Sequence, residues 1–298
     1  MKSKILQYLT LKNLIKNRTK IQIALKELHN RTKDQELFFW GKIFGEESDY
    51  FIAVGIDFHR YAFPKKKFYY CSQKTFTFED LPETFPYHDG DFLDNYSRPL
   101  KGDPKLIIKK YKEENPEGEE GEEAPAEGEE EENKNLDPDI SVDENAPKKE
   151  EPKENFTEEL KLSYIVRQID TDTSIVPEGS VKLLPEHELR FNKAFKGLKE
   201  EDLRKKEKYL HFRPIVTKEK LEYSETDDAC FKYDILDDIT TDVVKGSWSI
   251  QLDSTRKISN VRSLLWPGYY AVHQSNSNIF GSCYFGNGQK NAELAFMI

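Results

Sequence analysis

Apolar and polar side chains alternate most clearly in residues 248–253, whose sequence is W-S-I-Q-L-D. Trp248, Ile250 and Leu252 occupy every second position, and polar residues lie between them. A period of two is typical of a β-strand with one buried and one solvated face. The polar residues 254–257 predict a hairpin loop, and residues 261–266, which end in a second tryptophan, predict the returning strand.

Further segments predict strands of the same sheet. Residues 36–56 predict an aromatic hairpin that turns at residues 45–48, and residues 68–72 predict a third strand beside it. The first strand of that hairpin is apolar on both faces, so we expect it to be covered on both sides. Residues 269–273 and 280–285 predict a last hairpin. These strands favour a mostly antiparallel sheet.

Several glycines predict local departures from regular strands. Gly41 and Gly55 lie inside predicted strands, where glycine typically marks a bulge or a close backbone approach. Pro267 followed by Gly268 fits a type II turn, which requires a positive φ at its third residue. Residues 287–288, Asn-Gly, are another turn signal.

Helical spacing of apolar residues appears before and after the middle of the chain. Residues 4–31 carry two apolar stripes separated by the polar residues 16–20, which predicts two short helices. The stripes either pack on the sheet or contact a partner helix. Residues 156–169 predict another helix, with Thr157 as its N-cap.

The remaining helix predictions rest on weaker patterns. A charged helix is predicted over residues 199–209 and a short one over residues 227–236. Residues 173–176 are predicted as a short strand, and residues 75–104 as irregular structure because of their prolines.

The middle of the chain is an acidic stretch that differs from the rest. Residues 113–155 contain 19 acidic and 4 basic side chains, a net charge of −15, while the whole chain has −10, so the remainder has about +5. With almost no apolar residues, this stretch cannot offset its ordering entropy by burial, and we expect a disordered, solvated loop. A spacer that acts by charge repulsion and a dock for a basic partner remain open as roles.

These patterns predict an α+β fold with a mostly antiparallel sheet, onto which the N-terminal and central helices pack. Residues 1–112 and 156–298 are expected to form one interrupted domain, with 113–155 looping out, because neither part has a full complement of strands.

Residue types that carry chemistry do not form recognisable constellations. Three scattered cysteines indicate neither a disulfide framework nor a zinc site. Six histidines lack metal-ligand spacing, and residues 286–290, G-N-G-Q-K, fit a turn better than a phosphate loop. We therefore predict no catalytic, cofactor-binding or metal-binding residues, no cofactor and no enzymatic activity.

The sequence also argues against membrane and nucleic-acid partners. No apolar run approaches the 18 or so residues of a membrane span, and we expect no signal peptide at the N-terminus. Aromatic and basic residues alternate in residues 65–70, but the remainder of the chain is only mildly basic, so packing explains them better than stacking on nucleic acid.

Several motifs, in order along nearly the whole chain outside the acidic stretch, resemble the radial spoke head protein 9 family of motile cilia and flagella. The most specific are W-G-K-I at 40–43, K-G-S-W-S-I-Q at 245–251 and V-R-S-L-L-W-P-G at 261–268. Weaker matches include G-D-P at 102–104 and Y-L-H-F-R-P at 209–214. The acidic stretch departs from the shorter loop expected of the family.

The resemblance implies a structural subunit of the radial spoke head in the ciliary axoneme, beside the related spoke head proteins 4 and 6. Such a subunit would reach the central-pair apparatus indirectly and help pass mechanical signals to the dynein arms. It could also meet a copy of itself across a two-fold axis. The alternative is a β-rich module that binds a small molecule or acts as an enzyme, which requires convergent polar groups in an apolar pocket.

Overall fold

An eight-stranded sheet runs through the computed structural model, which describes residues 12–32, 36–58, 63–84, 88–95, 97–110 and 155–297. The predicted disordered loop falls outside these ranges except for its last residue. All neighbouring strands pair antiparallel except Glu36–Ile43 and Phe280–Gly286, which pair parallel. The predicted α+β class is therefore confirmed. The strand order is β11 (Trp248–Asp253), β12 (Ile258–Ser263), β13 (Tyr269–Gln274), β14 (Phe280–Gly286), β1 (Glu36–Ile43), β2 (Tyr50–Asp57), β3 (Lys65–Ser72) and β4 (Glu79–Asp80).

The helices and minor strands lie around this sheet. Three further sheets, separate from the large one, have two strands each. The helices are α1 (Lys12–Thr32), α2 (Asp89–Asn95), α3 (Glu158–Thr173), α4 (Lys218–Ser224) and α5 (Leu294–Met297), with 3₁₀ turns at Lys206–Lys208 and Asp227–Ala229. Their strands are β5 (Ile107–Lys109), β6 (Phe156–Thr157), β7 (Ile175–Pro177), β8 (Val181–Leu183), β9 (Leu189–Phe191) and β10 (Tyr209–His211). In these minor sheets β5 pairs with β6, β7 with β10, and β8 with β9.

The two faces of the sheet bury separate apolar clusters. On one face, which we call the inner face, α3 and the minor strands pack against the sheet in the larger cluster. On the other, outer face, Ile21, Ala24 and Leu28 of α1 pack against strands β14, β1, β2 and β3. The apolar stripe of α1 therefore contacts the sheet, as the first of the two interpretations predicted. Strand β1 contributes to both clusters, which confirms that it is covered on both sides.

Two predictions need correction: the break in the N-terminal helix and the strand that was expected to begin at Thr173. Residues 16–20 do not interrupt α1, because they include no glycine or proline, and the side chains of residues 17–20 are half-buried or exposed on one continuous helix. The apolar stripe before residue 12 lies outside the described residues. Thr173 ends α3 instead of beginning a strand, and its hydroxyl donates to the Ile169 carbonyl. The predicted N-cap is confirmed, since Thr157 Oγ1 accepts from Leu160 N at 3.4 Å.

The predictions of a charged helix over residues 199–209 and of a short helix over residues 227–236 are wrong. Residues 199–208 form turns and a 3₁₀ segment, because buried Leu203 is their only large apolar residue and a helix would have no stripe to bury. The short helix lies at Lys218–Ser224 and not at residues 227–236, where Phe231 adopts a φ of +66° that ends helical geometry. Residues 75–104, predicted as irregular, include the short elements β4 and α2.

Of the two glycines predicted to mark irregularities in strands, one does so and the other does not. Gly41 lies at a bulge in β1, and a Cβ there would come within 2.2 Å of the Tyr284 carbonyl oxygen. Gly55, in contrast, pairs in regular register with Leu37 and Lys67, so it marks no bulge. The strand that returns after β11, predicted over residues 261–266, spans Ile258–Ser263 and therefore begins and ends earlier than predicted. Trp266 lies in the following turn, where its carbonyl accepts from Tyr269 N at 3.1 Å.

Candidate subunit-contact surface

The first residue of β11, Trp248, fixes the start of the edge strand. Its buried indole donates from Nε1 to Asp242 Oδ2 at 2.7 Å, and Oδ1 of the same carboxylate lies 3.0 Å from His211 Nε2 and 3.4 Å from Arg213 Nη2. Burial alone would raise the pKa of the Asp242 carboxyl. The hydrogen bonds and charges of His211, Trp248 and Arg213 together outweigh burial and hold this pKa below its ordinary value.

The chain's other two tryptophans are held in the same way, by carboxylates at the end of α3. Trp40 Nε1 donates to Asp170 Oδ1 at 3.1 Å, and Trp266 Nε1 donates to Asp172 Oδ2 at 2.8 Å. A buried indole N–H requires an acceptor, and an aspartate fixes the ring more strongly than a neutral group. Sequence reasoning missed these pairs. The available signal was the D-T-D sequence at 170–172, directly after the predicted helix.

The outer edge of β11 is a free sheet edge within the described residues. Leu264 N donates to Ser247 O at 2.8 Å, so by strict alternation Ser249, Gln251 and Asp253 direct their backbone groups to β12. The backbone N–H and C=O groups of the residues between them, Trp248, Ile250 and Leu252, point away from the sheet. No described residue hydrogen-bonds to these outward groups.

The outer face beside this edge carries polar side chains. One cross-strand row runs through Ser249, Arg262, Tyr270 and Cys283, which are paired in register on β11 to β14. Cys283 is buried in the cluster under α1, whereas Ser249, Arg262 and Tyr270 are only half-buried. Among the described residues, the α1 cluster takes no side chain from β11, β12 or β13. We call the outer face of these three strands, together with the β11 edge, the open half.

Two polar atoms on the open half are buried without a hydrogen-bond partner among the described residues, Asn260 Oδ1 and Arg262 Nε. The Arg262 guanidinium lies 5.4 Å from the Tyr270 ring centroid. A buried polar atom without a partner costs about 1–3 kcal/mol, so these atoms favour an additional donor and acceptor at this surface.

A histidine and the G-N-G-Q-K segment, both considered above for chemistry, make hydrogen bonds that stabilise the fold. His273 Nε2 accepts from Leu198 N at 3.0 Å, and residues 286–290 form a turn in which Gly288 N donates to the Tyr284 hydroxyl at 3.0 Å. All three cysteines are free thiols. Within the described residues, no group of histidine, cysteine or acidic side chains could hold a metal ion, and no helix is long and apolar enough to cross a membrane.

A cavity of about 480 Å³ lies between α4 and the β8–β9 hairpin. Its walls are mainly apolar, with Leu183, Leu189 and Ile215 among them, and the His187 ring in its wall contacts the Ser224 carbonyl at 3.3 Å. This cavity is the place where the small-molecule alternative would have to be tested.

Comparison with known proteins connects this architecture to one group. No protein-family model matches the chain. A zebrafish (Danio rerio) radial spoke head protein 9 homolog is 32% identical over 284 residues, which is 94% of this chain and 91% of that protein. The chain belongs to the radial spoke head protein 9 family. The human radial spoke head protein 9 homolog is 30% identical over 88% of this chain, and the mouse homolog is 28% identical over 88% of this chain.

The segments that carry the resemblance to the radial spoke head protein 9 family are structural in this chain. Gly102, in the G-D-P motif, has a φ of +105°, and a Cβ there would lie 2.4 Å from the Ser48 carbonyl oxygen. Its N–H donates to the buried carboxylate of Glu158 at 2.6 Å, and the Tyr50 hydroxyl donates to the same oxygen at 2.7 Å. Burial and these contacts to Glu158 raise the pKa of Tyr50. The motif therefore locks the start of α3 onto the β1–β2 hairpin.

Proposed function

We propose that this chain is a non-enzymatic structural subunit of the radial spoke head in the axoneme of motile cilia. The observation that carries the proposal is the similarity to radial spoke head protein 9 homologs, which covers 88–94% of the chain in the zebrafish, mouse and human proteins. The three carboxylate-anchored tryptophans and the long mixed sheet support a stiff building block, because buried charge-assisted hydrogen bonds resist local opening.

In this role the chain would contact the related spoke head proteins 4 and 6 and act indirectly on the central-pair apparatus. A stiff body that joins these neighbours would transmit force from the central pair towards the dynein arms and so shape the beat. Its location would be the cytoskeleton of the cilium within the cytoplasm. Neither a membrane nor a nucleic acid is proposed as a partner.

The test is to delete the gene in ciliated cells of the source organism and image axonemes by cryo-electron tomography. We expect spoke heads to be lost or truncated and the beat to change, and expression of the intact chain to restore both. A matched rescue uses the chain with Asp172→Asn, which weakens one tryptophan anchor without removing a surface. Complete spoke heads in the deletion strain would overturn the proposal.

We also propose that residues 1–112 and 156–298 form one interrupted domain. In support, β1 from the first part pairs with β14 from the second, at Gly41 with Tyr284 and Lys42 with Phe285. Limited proteolysis within residues 113–155 should give two fragments that still elute together in gel filtration without denaturant. Separation of the fragments under those conditions would contradict the proposal.

A further inference from the structure

Exposed apolar side chains gather beside the cavity between α4 and the β8–β9 hairpin. Among the described residues, thirteen large apolar or aromatic residues are exposed, and five of them lie within residues 216–233. Scattered apolar residues are ordinary on a protein surface, whereas a group of them beside a cavity indicates a binding site. We call the cavity and these five residues the groove. The five are Val216, Leu221, Tyr223, Phe231 and Tyr233, of which Leu221 also lines the cavity.

The backbone at Phe231 is strained, although the residue is 58% exposed. Its φ of +66° lies in the left-handed region, which a bulky side chain rarely adopts. Phe231 N donates at 2.9 Å to the carbonyl oxygen of Leu183, which lines the cavity. His187, in the cavity wall, also has a positive φ, of +56°. Strained conformations cluster at binding sites, and burial of the Phe231 side chain does not offset the strain here. This residue therefore indicates a contact outside the chain's own core.

The two segments that form most of the cavity wall are acidic. Residues 183–189 and 214–235 contain eight acidic and three basic side chains, a net charge of −5, although the chain outside residues 113–155 has about +5. Of the acids whose side chains the structure describes, only Glu188 forms an ion pair with a described residue, at 2.7 Å from Arg190. The Lys220 ammonium donates to two backbone carbonyl oxygens, at 2.6 and 3.2 Å. The rim of the groove therefore attracts cations and repels acidic segments.

The cavity wall suits an apolar side chain better than a small polar molecule. Its volume of about 480 Å³ is within the range of ligand pockets, but such pockets fix a small molecule with several convergent polar groups. The polar residues of the wall are His187, Ser224 and Glu225. The Ser224 hydroxyl donates to the Leu221 carbonyl at 2.6 Å, and the His187 ring contacts the Ser224 carbonyl. Glu225, exposed at the rim, is placed to meet a cation beside an apolar anchor.

We propose that the groove binds a segment of a partner protein that carries apolar residues at helical spacing and lysine or arginine between them. One apolar side chain of the segment fills the cavity, others cover Leu221 and Phe231, and the cations lie against the acidic rim. An amphipathic helix in an apolar groove is a recurring mode of peptide recognition, and charge complementarity selects the partner. The proposal goes beyond the spoke head role and does not rest on it, because it is tested on the isolated full-length chain.

The first experiment measures binding of a fluorescent synthetic peptide with leucine at i, i+3, i+4 and i+7 and lysine elsewhere. Two matched peptides carry serine in place of leucine, or glutamate in place of lysine. Fluorescence anisotropy should show that the leucine–lysine peptide binds about tenfold more tightly than either. The serine–lysine peptide measures the attraction of lysines to residues 113–155 alone. If it bound as tightly as the leucine–lysine peptide, the proposal would be overturned.

Substitutions in the groove locate the binding site. Leu221→Lys places a cation at the cavity and should weaken binding of the leucine–lysine peptide about tenfold. Leu93→Lys, at an exposed leucine of α2 that does not line the cavity, is the control and should have no effect. Glu225→Lys should weaken binding about threefold, and its control Glu46→Lys, at an exposed position of the β1–β2 turn, should not. Equal losses in variant and control would mean that net charge, and not the groove, determines affinity, which would contradict the proposal.

Residue-resolved hydrogen exchange of wild type keeps the proposal testable even if a variant folds poorly. The leucine–lysine peptide should slow exchange in α4 and in residues 183–189 and leave β2 unchanged. Residues 1–11 contain two lysines and no acidic residue, so a chain without them tests whether the N-terminal segment itself occupies the groove. Binding only after this deletion, or a peptide that leaves exchange in α4 unchanged, would each overturn the proposal.

Discussion

The outer face of the sheet presents two different surfaces on one continuous layer. Under α1, strands β14 to β3 offer Phe51, Tyr69 and Phe285, all buried. On the open half, strands β11 to β13 offer six polar or charged side chains and three apolar or aromatic ones, and all except buried Ile258 are half-buried or exposed. The polar set is Ser249, Gln251, Asp253, Asn260, Arg262 and Gln274, and the other set is Ile258, Tyr270 and Val272. We call the first region the covered half. The strands pair continuously in both halves, with a bulge at Gly41 only in the covered half, so pairing alone does not decide which part of the sheet is covered by its own chain.

The change from half-buried polar side chains to buried ones occurs within a single cross-strand row. The row from Ser249 to Cys283 begins with a hydroxyl, passes an arginine stacked near Tyr270, and ends with a thiol buried beneath α1. Aromatic and long polar side chains that pack against each other on a half-exposed face are common at subunit interfaces. The contrast teaches that α1 covers only one half of the outer face, whereas no described part of the α1 cluster reaches the other half.

The largest expected effect compares truncation of one aromatic ring in each half. Phe51→Ala removes a fully buried ring beneath α1 and should lower the free energy of unfolding by about 3–5 kcal/mol. Tyr270→Ala, the matched truncation on the open half, should cost about 1 kcal/mol. Urea unfolding followed by tryptophan fluorescence measures both. Equal losses would show that the open half is as tightly packed as the covered half.

Acidification should loosen strands β11 to β13 first, through His273 on the inner face of β13. Burial lowers the pKa of this histidine to about 4, and its Nε2 can accept from Leu198 N only while it is neutral. Because the unfolded chain binds a proton near pH 6.5 and the folded chain does not, stability falls as the pH drops from about 6.5 to about 4. The full loss is on the order of 3 kcal/mol.

The pH series compares wild type, His273→Asn and His29→Asn, with His29 exposed on α1 as the control. The wild type and the control should lose stability between pH 7 and pH 5, and His273→Asn should lose less. In wild type, hydrogen exchange at pH 5 should accelerate around Leu198 and β13 before it does in β2. A slope that His273→Asn leaves unchanged would contradict the assignment.

Much of the fold could be predicted from the sequence because its strands obey a simple period. The β11–β12, β1–β2 and β13–β14 hairpins follow from alternation and turn residues, and the N-cap at Thr157 follows from local chemistry. The helix predictions over residues 199–209 and 227–236 failed because charged residues have helical propensity in isolation. Tertiary burial of Leu203 and the left-handed backbone of Phe231 decided those segments.

The candidate surface could be predicted only in part. The polar positions of β11 were readable from alternation, which predicted Ser247, Ser249, Gln251 and Asp253 as a solvated face. Ser247, just before the strand, is buried instead. Local sequence could not show that β11 would lie at the edge of the sheet, because strand order depends on the long-range β1–β14 pairing. The Asp242 anchor of Trp248 likewise joins a loop and a strand through a contact that has no periodic signal.

A smaller effect should appear at the Asp242 anchor, which holds the start of the open edge. Asp242→Asn keeps the shape but removes the charge that His211 and Arg213 face, so the free energy of unfolding at pH 7 should fall by about 1–3 kcal/mol. Because the folded pKa of Asp242 lies below its ordinary value, this contribution is present above about pH 4 and is lost as the pH falls through the folded pKa.

Asp228→Asn, at an exposed position, is the control and should change stability little at any pH. Chemical denaturation at pH 7 and at pH 3 should therefore show a gap between wild type and Asp242→Asn that narrows in acid. A gap of constant size would mean that the amide, and not the lost charge, causes the defect.

The smallest expected effect is a difference in alkylation rate among the three cysteine thiols of the native protein. Cys71 and Cys283 lie beneath α1, and burial raises the pKa of the Cys71 thiol to about 12 and also raises that of Cys283. Only half-buried Cys230 should react with iodoacetamide in the native protein, because alkylation requires an accessible thiolate. Leu25→Ala, which trims the half-buried edge of α1, should accelerate labelling of Cys71 and Cys283 and leave the Cys230 rate unchanged. Mass spectrometry of timed samples resolves the three sites. If all three rates rose together, the variant would be loosening the whole fold, and α1 would not be the specific cover that separates the two halves of the sheet.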